Sequence, residues 1–223
     1  PEIVSAMAQL LSAAGVRWAA LPEEGCCGGG LHDLGYSAEA RQKAESLAAQ
    51  IAALGPETIV TGCAHCYRTL KEFYPAWGVE LPAATQVLHS SEYLAQILRE
   101  GRLRLDGEGK EGVLAYHDPC MLGRKMGVYD APRALIQAAT GSGPQELFHN
   151  RALAECCGAG AATFLAEPEA ALKVAGVRLE RARETGAATL VTACQNCKTL
   201  FQEAVAGEMQ VLDLVELAAR HLV

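Results

Sequence analysis

Apolar residues recur at helical spacing near the start of the chain, at Ile3, Val4, Met7, Leu10 and Leu11, and the pattern stops before Gly15. That spacing lines one face of a helix, so Glu2 to Ala14 is predicted helical. Val16-Arg17-Trp18-Ala19-Ala20-Leu21, running into Pro22, reads as a short strand. The stretch Ser37 to Leu54, rich in Ala, Glu and Lys, predicts a long helix, and Thr58 to Thr61 a strand. The order then recurs: strand Val113 to Tyr116, helix Pro132 to Ala139, strand Glu146 to Phe148, helix Glu167 to Thr185, strand Thr189 to Thr192 and helix Lys198 to Val205. Strands alternating with helices imply an α/β fold with parallel sheets and right-handed crossovers.

The recurrence extends to residue identity. Thr58-Ile59-Val60-Thr61-Gly62-Cys63 matches Thr189-Leu190-Val191-Thr192-Ala193-Cys194, and Gln86-Val87-Leu88-His89 matches Gln210-Val211-Leu212-Asp213, with Glu92 answering Glu216. An internal duplication of this kind governs the fold. The expected architecture is two tandem Rossmann-like lobes with mostly parallel sheets, residues 1–101 and 112–223. The connector Arg102 to Gly112, crowded around Asp106-Gly107-Glu108-Gly109, forms the boundary. With 223 residues, 50% of them hydrophobic, the chain can bury one large core or two modest ones, and the duplication favours two.

All nine cysteines fall into the same repeat. Cys26-Cys27-Gly28 precedes Cys63 and Cys66; Cys156-Cys157-Gly158 precedes Cys194 and Cys197. Cys120 stands 36 positions before Cys156, and its counterpart in the first copy would fall ahead of Pro1, so the stretch is expected to begin inside that copy. Cys120, the second doublet and Cys194 follow the ends of predicted strands, the edge where open α/β sheets bind ligands. Cys197 falls at the predicted start of a helix, where unpaired N–H groups favour a thiolate. A structural zinc takes four ligands, whereas the second copy offers five thiols. Disulfides belong to oxidising compartments and usually to even counts in small, loop-rich chains. A dithiol at each Cys-x-x-Cys leaves the doublets unexplained. Iron–sulfur ligation accounts for every thiol.

A net charge of −7 argues against a nucleic-acid partner, whose footprint is clustered Lys and Arg. The residues show no basic-then-apolar signal segment and no apolar run of about 18 residues, so neither export nor membrane spanning is written in them. The glycine-rich doublets lack the order of a dinucleotide loop, which places any flavin on a partner. His117, beside Asp118 and just ahead of Cys120, is the candidate proton donor to a leaving thiolate; a loop-fixing hydrogen bond is the alternative. His65 can tune a cluster, and Arg124 and Lys125 can offset thiolate charge. Gly28, Gly158 and Gly160 are candidates for close backbone approach to an inorganic core and for N–H bonds to its sulfurs. Tyr67, Trp77 and Tyr129 read as packing residues.

The arrangement Cys120…Cys156-Cys157-Gly158…Cys194-Gln195-Asn196-Cys197 resembles the cysteine-rich CCG domain, found in duplicate in the catalytic iron–sulfur subunit of heterodisulfide reductases and in related iron–sulfur oxidoreductase subunits. The stretch Tyr116 to Arg124, continuing from Gly127 to Arg133, is most similar to the membrane-associated, heterodisulfide-reductase-like members. The resemblance implies a noncubane [4Fe-4S] cluster on Cys120, Cys156, Cys157, Cys194 and Cys197. It implies a [4Fe-4S] cluster on Cys26, Cys27, Cys63 and Cys66, whose type is left open by the missing fifth cysteine. It further implies thiol–disulfide chemistry on a disulfide or thiol substrate. The implied partners are a ferredoxin-like [4Fe-4S] domain or subunit and a flavoprotein or membrane cytochrome or quinone-reactive subunit, with the chain in the cytoplasm or at its membrane face. Two rival readings stand beside it: an electron-transfer subunit of a flavin-dependent 2-hydroxy-acid or electron-transfer-flavoprotein oxidation system, and a structural zinc module.

Overall fold

The computed structural model describes residues 2–21, 23–108, 111–205 and 209–223. The first helix, α1 (Glu2–Ala13), buries Ala6, Leu10 and Leu11, the stripe its periodicity picks out. The strand expected over Val16 to Leu21 does not form; the chain there runs without a ladder and Arg17 to Ala20 are exposed. A strand exists only where a neighbour pairs with it. Among the described residues none pairs with this one.

Helix α2 (Gly29–Asp33) follows the first doublet, and α3 (Ser37–Leu54) spans the predicted residues. Then come β1 (Thr58–Thr61), α4 (Ala64–Arg68), a π-helical turn (Thr69–Phe73), α5 (Tyr74–Ala76), β2 (Gln86–His89) and α6 (Ser90–Arg99). In the second half β3 (Leu114–His117), α7 (Asp130–Thr140), β4 (Gln145–Glu146), α8 (Thr163–Ala166), α9 (Pro168–Glu184), β5 (Thr189–Thr192), α10 (Gln195–Ala204), β6 (Gln210–Asp213) and α11 (Leu214–Arg220) complete the order. β4 is shorter than expected, an exposed two-residue edge.

The sheets are parallel. β1 pairs with β2 in the register Thr58↔Gln86 to Thr61↔His89, and a four-stranded sheet runs in the order β4-β3-β5-β6. β3 and β5 are buried at every residue, as strands covered on both faces must be. The sequence match between β2 and β6 reappears as one local device. His89 Nδ1 accepts the Ser91 N–H at 3.2 Å while Glu92 accepts the His89 N–H at 3.1 Å. Asp213 Oδ1 accepts the Val215 N–H at 2.9 Å while Glu216 accepts the Asp213 N–H at 2.8 Å. Each is a capping box that starts a helix directly at a strand's carboxyl end.

Two equal cores do not result. One large cluster joins the four-stranded sheet and its helices to Ala6, Leu10, Leu94 and Ile97 of the first half, because α1 packs on α11 and α6 packs on α7 and α11. Around α3 are two small clusters, one holding Ala44, Leu70 and Tyr74, the other Cys27, Leu47 and Ile51. The connector is tied down: Leu105 bridges Leu222, and the buried His221 ring reaches Asp106 at 2.6 Å and Glu111 at 2.5 Å. Gly109, one of the residues assigned to the boundary, lies outside the described residues. Among the described residues no helix is long and apolar enough to cross a membrane.

Candidate metal centre

Three loops at the carboxyl ends of the second sheet carry the five cysteines of the second copy. β3 ends at His117, and the turn behind it holds Cys120. Asp118 fixes that turn: only 1% exposed, it takes two hydrogen bonds from Arg133 at 2.8 and 2.9 Å and one from the Arg151 N–H at 2.8 Å. A bidentate guanidinium–carboxylate pair fixes both distance and plane. The loop ahead of the doublet is held from two sides. Arg124 donates to the carbonyls of Ala152 and Ala154, and Arg178 to the His149 carbonyl at 2.7 Å. Arg124 is therefore a loop clamp, with its guanidinium committed to backbone.

The third loop corrects the predicted helix start. α10 begins at Gln195, so Cys194 is its N-cap residue and Cys197 sits inside the first turn. In the first copy the Cys63 sulfur accepts the Cys66 N–H at 3.5 Å as the N-cap of α4, a bond that Cys194 does not make. Two intervening residues put both thiols on one side of a single helical turn.

The five sulfurs form one continuous run of contacts: Cys120 with Cys156, Cys156 with Cys157, Cys157 with Cys197, and Cys197 with Cys194. Hydrogen bonds from Cys120 and Cys157, with the Gly158 and Gly160 N–H groups, pull the Cys156 thiol far down. The bond to Cys156, and then burial, push Cys120 far up. Cys157 is pushed up to about 12, first by its bond to Cys156. Such a cluster cannot ionise throughout without cationic charge among the sulfurs. All nine cysteines are free thiols. His117 groups with Cys157 and Cys197 as residues whose ligand atoms all lie within 4.8 Å of one another, and its Nε2 is buried without a hydrogen-bond partner. A donor set of five thiols within contact, fed by backbone N–H groups, fits an iron–sulfur centre.

Cys120, Cys157, Cys194 and Cys197 line a cleft of about 260 Å³ whose opposite wall includes Asp33, Leu34 and His65 of the first half. A larger hollow of about 790 Å³ lies elsewhere, lined by Glu2, Gln9, Lys198 and Arg220 on α1, α10 and α11. Its lining holds no cysteine.

The first copy assembles three thiols closely. Cys66 is hydrogen-bonded to both Cys27 and Cys63; these hydrogen bonds push Cys66 far up and hold Cys27 at about 6, helped by the Gly29 N–H and Thr69. Cys26 is exposed and its sulfur accepts the Gly28 N–H at 3.4 Å. The Tyr74 hydroxyl, buried without a partner, is raised by burial first and then by the charges of Cys27, Cys66 and Cys26. The His65 Nε2 lies 3.2 Å from the Asp33 carboxylate at the cleft rim.

Gly28 and Gly158 close their doublets at φ +85 and +100, a region that L side chains rarely adopt. A Cβ on Gly28 would strike the Ala40 carbonyl of α3, and one on Gly158 the Ala171 carbonyl of α9. The close approach is thus to a helix. The N–H bond to sulfur is made as well, from Gly158 to Cys156 at 3.3 Å. Gly160 differs: its Cβ would meet the Cys156 sulfur at an ordinary 3.6 Å.

Two residues carry no warning in the pattern of cysteines. Arg178, inside a helix of Ala, Glu and Arg, is fully buried and its Nε–H donates to His117 Nδ1 at 3.1 Å. His89, held at about 4 by burial, faces the carbonyls of Gly62 and Ala193, the residues just before Cys63 and Cys194. The only signal for His89 is its match to Asp213 at the end of a repeated strand.

A model of the cysteine-rich domain family, CCG, matches residues 1–71 and 114–202. The chain is 33% identical over 229 residues to a subunit of the dihydromethanophenazine:CoB--CoM heterodisulfide reductase of Methanosarcina mazei and 31% identical over 225 residues to its counterpart in Methanosarcina barkeri, covering 97% of this chain and 54% of each relative. It is 35% identical over 218 residues to the EtfAB:quinone oxidoreductase of Syntrophomonas wolfei, covering 92% of this chain and 29% of the relative. The chain thus spans about half the length, or less, of these curated relatives.

Proposed function

We infer that this chain, which belongs to the cysteine-rich CCG domain family, is the iron–sulfur redox module of an oxidoreductase and makes or breaks a disulfide beside its second set of cysteines. Its two CCG units are residues 1–101 and 112–223. Cys120, Cys156, Cys157, Cys194 and Cys197 would hold a noncubane [4Fe-4S] cluster, and Cys26, Cys27, Cys63 and Cys66 a [4Fe-4S] cluster. When bound, such a centre supplies electrons and a sulfur-binding iron.

The observation that carries the reading is the single run of five sulfurs with four of its members opening on a cleft that both halves wall. The cleft admits a small disulfide, with Leu34, Phe164 and Leu165 offering exposed apolar surface along its lining. The protein's own task is positional: Arg133 and Asp118 fix the Cys120 turn, Arg124 and Arg178 fix the approach to the doublet, and the first turn of α10 sets the last pair. Cleavage consumes two electrons and two protons and yields two thiols; the electrons would come from a ferredoxin-like domain or subunit. The module would work in the cytoplasm, docking at the membrane through a flavoprotein or quinone-reactive partner.

Likeness to an EtfAB:quinone oxidoreductase favours a second reading, an electron relay without a substrate of its own. Anaerobic reconstitution, counts of iron and acid-labile sulfide, and electron paramagnetic resonance with and without a trial disulfide separate the two. A signal that changes with the disulfide supports cleavage; iron bound with a signal indifferent to every disulfide tried supports the relay. A colourless protein holding one zinc would sink both.

A further inference from the structure

His117, Cys157 and Cys197 group as three potential metal ligands. The neighbours of the imidazole argue against ligation. Arg178 is charged at any ordinary pH and has only N–H groups to offer, so its 3.1 Å contact to His117 Nδ1 is a donation into the Nδ1 lone pair. The proton of the neutral ring must then sit on Nε2. A protonated ring nitrogen has no lone pair for a metal. It is instead a donor, and that nitrogen is buried and lacks a hydrogen-bond partner, on a ring with one nitrogen within 4.8 Å of the Cys157 and Cys197 sulfurs. The Phe201 ring, edge-on with centroids 4.9 Å apart, holds the imidazole in place. Arg178 is itself locked by the His149 carbonyl at 2.7 Å and Glu155 at 3.5 Å.

We propose that His117 is an N–H donor to the metal-bound sulfurs of Cys157 and Cys197, and that Arg178 is the positioning residue that fixes the donating tautomer. The inference rests on the iron–sulfur reading above. A donor to sulfur stabilises the extra negative charge of a reduced centre, so it raises the centre's potential. Proton transfer to substrate is not its part, because the ring is walled by protein and has no exposed edge.

The test uses the full chain, reconstituted anaerobically and labelled with ¹⁵N-histidine. Pulsed electron paramagnetic resonance of the reduced centre is expected to show a weak ¹⁵N coupling that disappears in His117→Phe. In a redox titration His117→Phe should favour the oxidised centre about tenfold, a move of about 59 mV to lower potential for one electron. Arg178→Met frees Nδ1 and should weaken the coupling and move the potential the same way, whereas Arg178→Lys, which keeps a donor, should restore both. A strong coupling typical of direct iron–nitrogen bonding overturns the proposal, as does no coupling at all or an unchanged potential in His117→Phe at full iron content. If His117→Phe fails to fold, the wild-type coupling and Arg178→Met decide. A wild-type chain that takes up no iron and sulfide removes the underlying reading; iron without coupling removes this inference alone.

Discussion

Replacing Gly158 by Ala separates the two tasks that the third residue of the Cys-Cys-Gly motif could perform. The backbone there has φ +100, and a Cβ would stand 2.5 Å from the Ala171 carbonyl oxygen and 3.0 Å from Leu200 Cδ2. Holding an L residue in so sparse a region costs roughly 1–3 kcal/mol. Pushing α9 aside in a packed core costs roughly 1–3 kcal/mol more. The expected loss is therefore about 2–6 kcal/mol, which for a chain of this size lowers the melting temperature by roughly 4–24 °C. Gly160→Ala is the control, since its Cβ meets only the Cys156 sulfur at 3.6 Å; it should cost under about 1 kcal/mol. Anaerobic melting followed by circular dichroism, with iron content read on the same samples, decides. Gly28→Ala should behave like Gly158→Ala, because its Cβ would strike the Ala40 carbonyl in the same manner. If Gly158→Ala melts with the wild type and loses only iron, the glycine serves the inorganic core and the helix argument is wrong.

The buried Asp213 carboxyl, raised by burial to about 7 from 3.8, destabilises the fold as it ionises, so its stabilising contribution is lost as pH climbs from about 4 through 7. Asp213→Asn keeps the cap acceptor and should be more stable than wild type at pH 8, by at most about 4 kcal/mol at about 1.4 kcal/mol per tenfold in proton affinity, the gain shrinking toward pH 5 in urea titrations. His221 behaves as a cationic clamp: burial lowers its proton affinity, but the bonds to Asp106 and Glu111 outweigh burial and raise it above 6.5. Its contribution is full below that value and falls as pH rises through the folded value, so His221→Gln should abolish part of the wild-type stability loss above pH 6.5; identical pH profiles would refute the clamp. Arg133→Met strands the Asp118 carboxylate and should cost about 3–5 kcal/mol. Iron content should fall with it, as measured after reconstitution, because the Cys120 turn loses its anchor.

Helix α3 was legible in full because an Ala-rich segment between turn residues forms a helix largely from local preference. Strands β1 and β5 were legible for another reason: their repeat marks them as equivalent, and a duplicated segment folds alike in both copies. Val16 to Leu21 shows the limit. Its composition suits a strand, yet strand formation belongs to a pair, and in the second half β4 exists because β3 lies beside it. Arg178 was illegible because a buried arginine in a helix otherwise rich in Ala, Glu and Arg looks like its solvated neighbours until the packing around it is known.

The chain alone determined which atoms are available for metal chemistry: nine thiols, their doublet-and-pair spacing, and their place after strand ends, all of which follow from local covalent order and from the repeat. Only the tertiary structure decided that five of those sulfurs touch in one run, that three others gather closely while Cys26 is exposed, and that both halves wall a single cleft. Spacing along a chain sets how far two groups can be separated. Strand order, helix caps and buried charges such as Asp118–Arg133 set where they meet.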